Sequence, residues 1–265
     1  MASAAPAPLP LLYKDLRPLS SAEHGEWALR RNQNASFLSG VHAVPLTVDE
    51  FVLAQRFMPI VFSAGENPVP LALMGLNDGV NVFFDDEGKL IDQRAYVPAY
   101  IRRYPFMLAK LGPDADELSL CFDPTSNVIG AYDDGEKLFA EGKPSETTDG
   151  ILKFCEHFET SGRQTAQFMN ELKEQDLLIQ GEVSIQPESA EKPFVYRGFQ
   201  MMSEAKLKEL RGDVARKWIG NGLLALVYAH LMSLSMIREI FSAQILQGKM
   251  PTPQGVQPAP SDAIN

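Results

Sequence analysis

Cysteine is scarce: Cys121 and Cys155 are the only two among 265 residues. Two cysteines cannot build a disulfide framework, and this pair lacks the close spacing of a zinc site. A reducing compartment is the simpler reading. Positive charge is also short, with 24 Lys and Arg against 34 Asp and Glu and a net charge of −10. Nucleic-acid binding rests on a basic footprint, so that class is disfavoured. Long apolar runs are missing too. The most apolar stretch, GLLALVYAHLMSLSMI from Gly222 to Ile237, is 16 residues long and falls short of the roughly 20 that span a bilayer. It predicts a core helix and no membrane span. The segment MASAAPAPLPLL has no Lys or Arg before Lys14 and no apolar h-region, which argues against a classical signal peptide. The expected location is therefore the cytoplasm, with surface association by a non-classical route left open.

Catalytic signatures are equally thin. There is no Gly-x-Ser-x-Gly elbow, no P-loop and no Gly-x-Gly-x-x-Gly after a strand. His24-Gly-Glu26 and His157-Phe-Glu159 have the spacing of two ligands in a 2-His-1-carboxylate iron site. Such common residues at such a spacing carry little information, and no clustered ligands support a metal. The acidic turn Asp85-Asp86-Glu87-Gly88 fails the EF-hand pattern, since Phe83 falls where a ligand is required. No metal and no cofactor is expected.

What the chain does contain is ordinary globular material, 45% hydrophobic and 22% charged. The charge is uneven. Residues 114–191 carry 5 Lys and Arg against 18 Asp and Glu, whereas residues 1–113 carry 10 against 11 and residues 192–265 carry 9 against 5. The acidic middle reads as solvated loops and helix faces, or as a face for a basic partner. The Ala/Pro-rich residues 1–9 and the Pro/Gln-rich residues 248–265 read as disordered tails. A single domain is expected between them, over residues 10–247.

Local patterns fill that domain. Thr47-Val-Asp-Glu50 has the form of a capping box opening a helix to about Arg56. IVFSAG, LALMGL, and the pair VNVFF and KLID around Gly88 read as strands. Pro98 opens a short helix and Pro105 ends it. SLCFDPTSNVIG reads as strand and turn. LLIQGEVSIQ and FVYRGFQMM read as one strand each, and Ser203 opens a short helix. Apolar Ile151, Phe154, Cys155, Phe158, Phe168, Met169 and Leu172 recur at helical spacing, predicting a long amphipathic helix over 149–175. A second is predicted over 214–247, with Leu223, Val227, His230, Leu234, Ile237 and Phe241 as its buried seam and Gly248 at its C-terminus. Short antiparallel strands in the N-terminal and middle parts, with these helices, give α+β as the fold class. A doubly wound α/β fold is the runner-up.

Two clusters could carry chemistry. In Tyr100-Ile-Arg-Arg-Tyr-Pro-Phe106 the adjacent Arg102 and Arg103 cannot share one helix face. One can meet solvent and the other an internal carboxylate or a ligand anion; Tyr104 stands beside them. His230 lies in the apolar seam, where it is either a hydrogen-bonded core histidine or a ligand-facing, proton-transferring one.

Several segments together make the chain resemble the SapC family of bacterial proteins: LYKDLRPLS, HAVPLTVDEF, MPIVFS, GVNVFFDDEGKLI, YVPAYIRRYPF, FQMMSEAKLKEL and GLLALVYAHLMSL. The resemblance spans roughly residues 10 to 245 and is most specific in YIRRYPF and the late AHLMS helix. It implies a link to a bacterial surface layer and its export; other relatives are encoded near outer-membrane receptors and flavin-dependent halogenase-like proteins. It carries over no catalytic residues, and the multi-span permease that shares the name is a different protein. The function expected is thus a soluble accessory or binding protein tied to surface-layer or envelope biogenesis. Its partner would be an unidentified protein or a small anionic ligand. The alternative is a small-molecule enzyme whose pocket unites Arg102, Arg103, Tyr104 and His230.

Overall fold

The computed structural model describes residues 9–30, 35–112, 117–187 and 192–250. The fold is α+β, with antiparallel strands in open sheets. The chain forms two compact units. Of the described residues, the first takes 9–30, 101–112 and 117–160; the second takes 35–100, 161–187 and 192–250.

In the first unit, Arg17–Pro18 pairs with Ser119–Phe122, which pairs in turn with Phe106–Ala109. Phe106 and Leu108 alternate inward, the period of a half-buried strand. A second small sheet sets Ala28–Leu29 between Ile129–Gly130 and Glu136–Lys137. The first half of the Glu146–Glu174 helix lays Ile151, Leu152 and Cys155 against Phe106, Leu108, Phe122, Ile129 and Leu138. That helix matches the expected amphipathic element and begins three residues earlier.

In the second unit a five-stranded antiparallel sheet runs in the order Leu178–Gln180, Phe199–Met202, Ile60–Ser63, Pro70–Leu73, Ala43–Pro45. Phe168, Met169 and Leu172, from the far half of the long helix, are buried in this unit together with Val227 and His230 of the Leu223–Ser233 helix. The Phe62 ring stands 4.7 Å from the His230 ring and 6.4 Å from Phe168.

The helix expected over 214–247 is three: Gly212–Gly220, Leu223–Ser233 and Met236–Leu246. The first break falls at Gly222, which takes the left-handed conformation (φ +80°) that glycine adopts without strain. Most of the expected seam is buried: Leu223, Val227, His230, Ile237 and Phe241 are buried, and Leu234 is half-buried. Its end is a complete Schellman motif: Lys249 N–H donates to the Gln244 carbonyl (2.8 Å), Gly248 N–H donates to the Ile245 carbonyl (3.1 Å), and Gly248 has φ +66°. The apolar stretch is also longer than the 16 residues read from sequence. Leu223–Leu246, with mean hydropathy 1.4 over its best window, is long and apolar enough to cross a membrane by length and composition. Within it His230, Ser233 and Gln244 are fully buried and hydrogen-bonded to the backbone of the second unit.

Three strand expectations change. LLIQGEVSIQ splits into Leu178–Gln180 and Val183–Ile185, and FVYRGFQMM into Phe194–Tyr196 and Phe199–Met202. Both breaks sit at glycine, Gly181 and Gly198, so each run serves two different sheets. VNVFF pairs with KLID only through the Phe84–Leu90 bridge. The buried Asn81 side chain accepts from the N–H groups of Phe83 and Phe84 and donates to the carbonyls of Leu38 and Val41. A side chain that claims these backbone groups competes with a ladder. The turn holds the expected Gly88 at φ +76°.

Candidate functional site

The YIRRYPF segment is built from its prolines outward. Pro98 precedes the short helix Ala99–Arg103; Pro105 stops it, because the residue before a proline is pushed out of helical conformation. Arg102 and Arg103, neighbours on that helix, diverge as expected. Arg103 is 7% exposed. Its guanidinium lies 3.7 Å from the Glu159 carboxylate and 4.1 Å from the centre of the Phe158 ring. Arg102 is exposed and lies over Phe154, 5.2 Å from the ring centre. Guanidinium planes stack on aromatic faces and keep their edges for hydrogen bonding.

Tyr104 is held from its other side. Tyr13 packs edge-on against its ring at 5.2 Å and donates its hydroxyl to the Phe106 carbonyl at 2.7 Å. The fully buried Asp123 accepts from the backbone N–H of Lys14 (2.7 Å) and Thr125 (2.8 Å). Burial, with the nearby Asp123 charge, pushes the Tyr104 hydroxyl up to about 12. Tyr104 therefore stays protonated at neutral pH.

These residues border a cleft of about 540 Å³ within the first unit, inside the range of small-molecule sites. Leu29, Phe106, Val128, Ile151 and Phe154 supply apolar wall; Arg30, Arg102 and Arg103 supply positive charge. Arg30 sits 3.6 Å from the centre of the Tyr132 ring, with Nε 2.7 Å from Asp134. Glu136 and Glu146 line the same cleft, and Thr147 donates its hydroxyl to Glu136 at 2.8 Å. Cys155 lies in the lining as well; burial raises its thiol to about 11, so it is protonated rather than nucleophilic at neutral pH.

His230 belongs to the second unit and is not among the residues lining this cleft. Its Nδ1 faces the Ile60 carbonyl at 2.8 Å, and Nε2 accepts the Met202 N–H at 3.1 Å. This is a neutral imidazole with the proton on Nδ1. Burial drives its pKa down to about 4. Ser233, one turn on, accepts the Ile60 N–H at 2.9 Å and donates to the His230 carbonyl at 2.6 Å.

Sequence reasoning named the arginines but not the glutamates or Thr147 of the cleft. Those come from a strand and a helix start that no motif marks. It also read Glu50 only as a local cap. In the structure the Glu50 carboxylate accepts from the Thr47 N–H (3.0 Å), the Thr47 hydroxyl (2.8 Å), the Tyr96 hydroxyl (2.9 Å) and the Ala99 N–H (2.6 Å). Among the described residues, no three His, Cys, Asp or Glu side chains gather in a way that could hold a metal ion.

Fold and site together define an α+β protein with an arginine- and aromatic-lined cleft in one of its two units. The SapC family model matches residues 19–240, and the chain belongs to the SapC family. Neither the curated proteins nor the solved structures hold a significant match to it.

Proposed function

We propose that this chain is a non-catalytic accessory protein that binds a small anionic ligand in the cleft beside YIRRYPF and acts in bacterial envelope or surface-layer biogenesis. The observation that carries the reading is Arg102: an exposed guanidinium laid over Phe154 at the border of a cleft whose wall mixes apolar side chains with arginines and glutamates. A guanidinium laid on a ring at a cleft border is suited to meet an anion. The protonated Cys155 and Tyr104 beside it supply no ready nucleophile or base. The surface-layer role is what the family name implies. The rival enzyme would need His230 for proton transfer, and both nitrogens of that ring are engaged with backbone.

The test is made in the native bacterium. Native mass spectrometry of the full chain purified from it is expected to show a bound small anion that Arg102→Gln loses. The same variant is expected to fail in restoring envelope integrity to a deletion strain. Full complementation by folded Arg102→Gln overturns the reading.

A further inference from the structure

We infer that the exposed face of the apolar helix pair Leu223–Ser233 and Met236–Leu246 lies against an anionic phospholipid membrane and holds the chain to the bilayer surface. The inference concerns the second unit alone and does not depend on the cleft.

The apolar surface follows from the sequence. Leu234 and Ser235, between the two helices, keep right-handed helical backbone, so the 24 residues run on for about 36 Å at the α-helical rise. One side is tied to backbone of the second unit through His230, Ser233 and Gln244. The other leaves Tyr228, Met232, Ile245 and Leu246 exposed, Met232 by 64% and Leu246 by 86%. Tyr228 and Met232 are four apart and share a face. Ile219 of the preceding helix is 67% exposed. The short helix Phe51–Ala54, which packs against Leu223–Ser233, leaves Val52 and Leu53 exposed as well. Exposed apolar groups gathered on neighbouring elements mark an interaction surface.

Charge selects what covers it. Residues 203–250 carry 7 Lys and Arg against 4 Asp and Glu, whereas the rest of the chain carries 17 against 30. The C-terminal helices are thus the basic part of an acidic protein. Within the helix pair Arg238 and Glu239 offset each other. Arg216 is exposed, pairs with no carboxylate among the described residues, and stands one turn from Ile219. Cations beside exposed apolar side chains match a surface that is itself anionic above and apolar below. Tyr228 has an apolar ring and a polar hydroxyl, the make-up enriched where membrane meets water.

Shape and polarity separate a membrane from other occupants. A long convex helix offers no pocket for a protein anchor, and a fluid lipid surface covers it without needing a matching groove. A second copy docked by the same face would bring Arg216 toward its own equivalent. The buried hydrogen bonds of His230, Ser233 and Gln244 keep the helix on the protein, so it lies along the membrane instead of crossing it.

The experiment is co-sedimentation of the full chain with phosphatidylcholine vesicles and with vesicles in which one lipid in three is phosphatidylglycerol. Binding to the phosphatidylglycerol vesicles is expected to be at least tenfold tighter. The double variant Tyr228→Ser, Met232→Ser and, separately, Arg216→Glu are each expected to weaken it at least fivefold with an unchanged melting temperature, since all three side chains are exposed. Leu111→Ser, at an exposed apolar position of the first unit, is expected to leave it unchanged. Absence of binding, equal affinity for the two vesicles, or parental binding by either folded variant overturns the inference. A dimer that binds no vesicles and that the double variant dissociates assigns the face to a second copy. Protein that resists release from the vesicles by alkaline carbonate overturns the peripheral placement.

Discussion

Ile60 and Met202 stand in register on neighbouring antiparallel strands and are joined through an imidazole instead of to each other. The ladder pairs Phe199 with Ser63 and Gln200 with Phe62, so Met202 falls opposite Ile60 two residues on. There His230 enters between them, with Nδ1 at the Ile60 carbonyl and Nε2 at the Met202 N–H. Neutral imidazole is suited to the gap because it carries one donor and one acceptor on opposite edges. Protonation removes the acceptor and turns a second N–H toward the Met202 N–H.

That arrangement sets a pH dependence. The folded-state pKa, about 4, lies below the ordinary 6.5, so the native state favours the neutral ring. The stabilisation is present above 6.5 and is lost as pH falls from there through 4, amounting to roughly 3 kcal/mol in all. Urea unfolding at pH 7.5 and pH 4.5 is expected to show this loss, and His230→Leu to flatten the part due to the ring. The leucine variant leaves the Ile60 carbonyl and Met202 N–H unpaired, which costs about 1–3 kcal/mol at neutral pH. A variant whose acid sensitivity equals that of the parent would refute the assignment.

Glu50→Gln is expected to destabilise the second unit by about 2 kcal/mol or more. Four donors converge on that buried carboxylate. An amide keeps one acceptor oxygen and turns N–H groups toward donors at the other position, and a buried donor left unsatisfied costs about 1–3 kcal/mol. Denaturant unfolding measures it. Tyr96→Phe, which removes one donor and no acceptor, is expected to cost less.

The contrast between Glu50 and the seam shows what the sequence could and could not reveal. The seam is periodic, so Val227, Ile237 and Phe241 announce their own burial. The Thr47–Glu50 pairing is also local and legible. Tyr96 and Ala99 reach the same carboxylate from 46 and 49 positions away, a separation that no spacing rule covers. The same holds for the cleft. The divergence of Arg102 and Arg103 follows from helix geometry, but the choice of Arg103 for burial depends on Glu159 and Phe158 arriving on another helix. Apolar pattern overstates strand length where a run continues through a glycine, as at Gly181 and Gly198. Hydrophobic pattern alone does not say that residues on either side of Gly181 join different sheets.

Gly181→Ala tests that last point. A Cβ there would lie 2.1 Å from the Phe199 ring, far inside contact distance, while Gly181 N–H donates to the Phe199 carbonyl at 2.8 Å. The backbone cannot withdraw without giving up that bond. Overpacking of this kind costs about 1–3 kcal/mol. Thermal unfolding is expected to show it, and Phe199→Leu in the same chain to recover part of the loss by vacating the ring's space.

Arg102 and Arg103 are expected to separate stability from binding. Arg103→Ala removes a buried cation from Glu159 and from the Phe158 face. Breaking a sealed ion pair costs 3–5 kcal/mol; Glu159 is about one third exposed, so water takes up part of the debt and roughly 2–4 kcal/mol is expected. Arg103→Lys should recover only a fraction, because an ammonium cannot lie flat on the ring. Arg102→Ala is exposed and should change stability by no more than about 0.5 kcal/mol. Urea unfolding of the three variants decides the matter. If Arg102→Ala proves the more damaging substitution, the exposed arginine is a structural strut, and the cleft loses the cation on which its reading as an anion site depends.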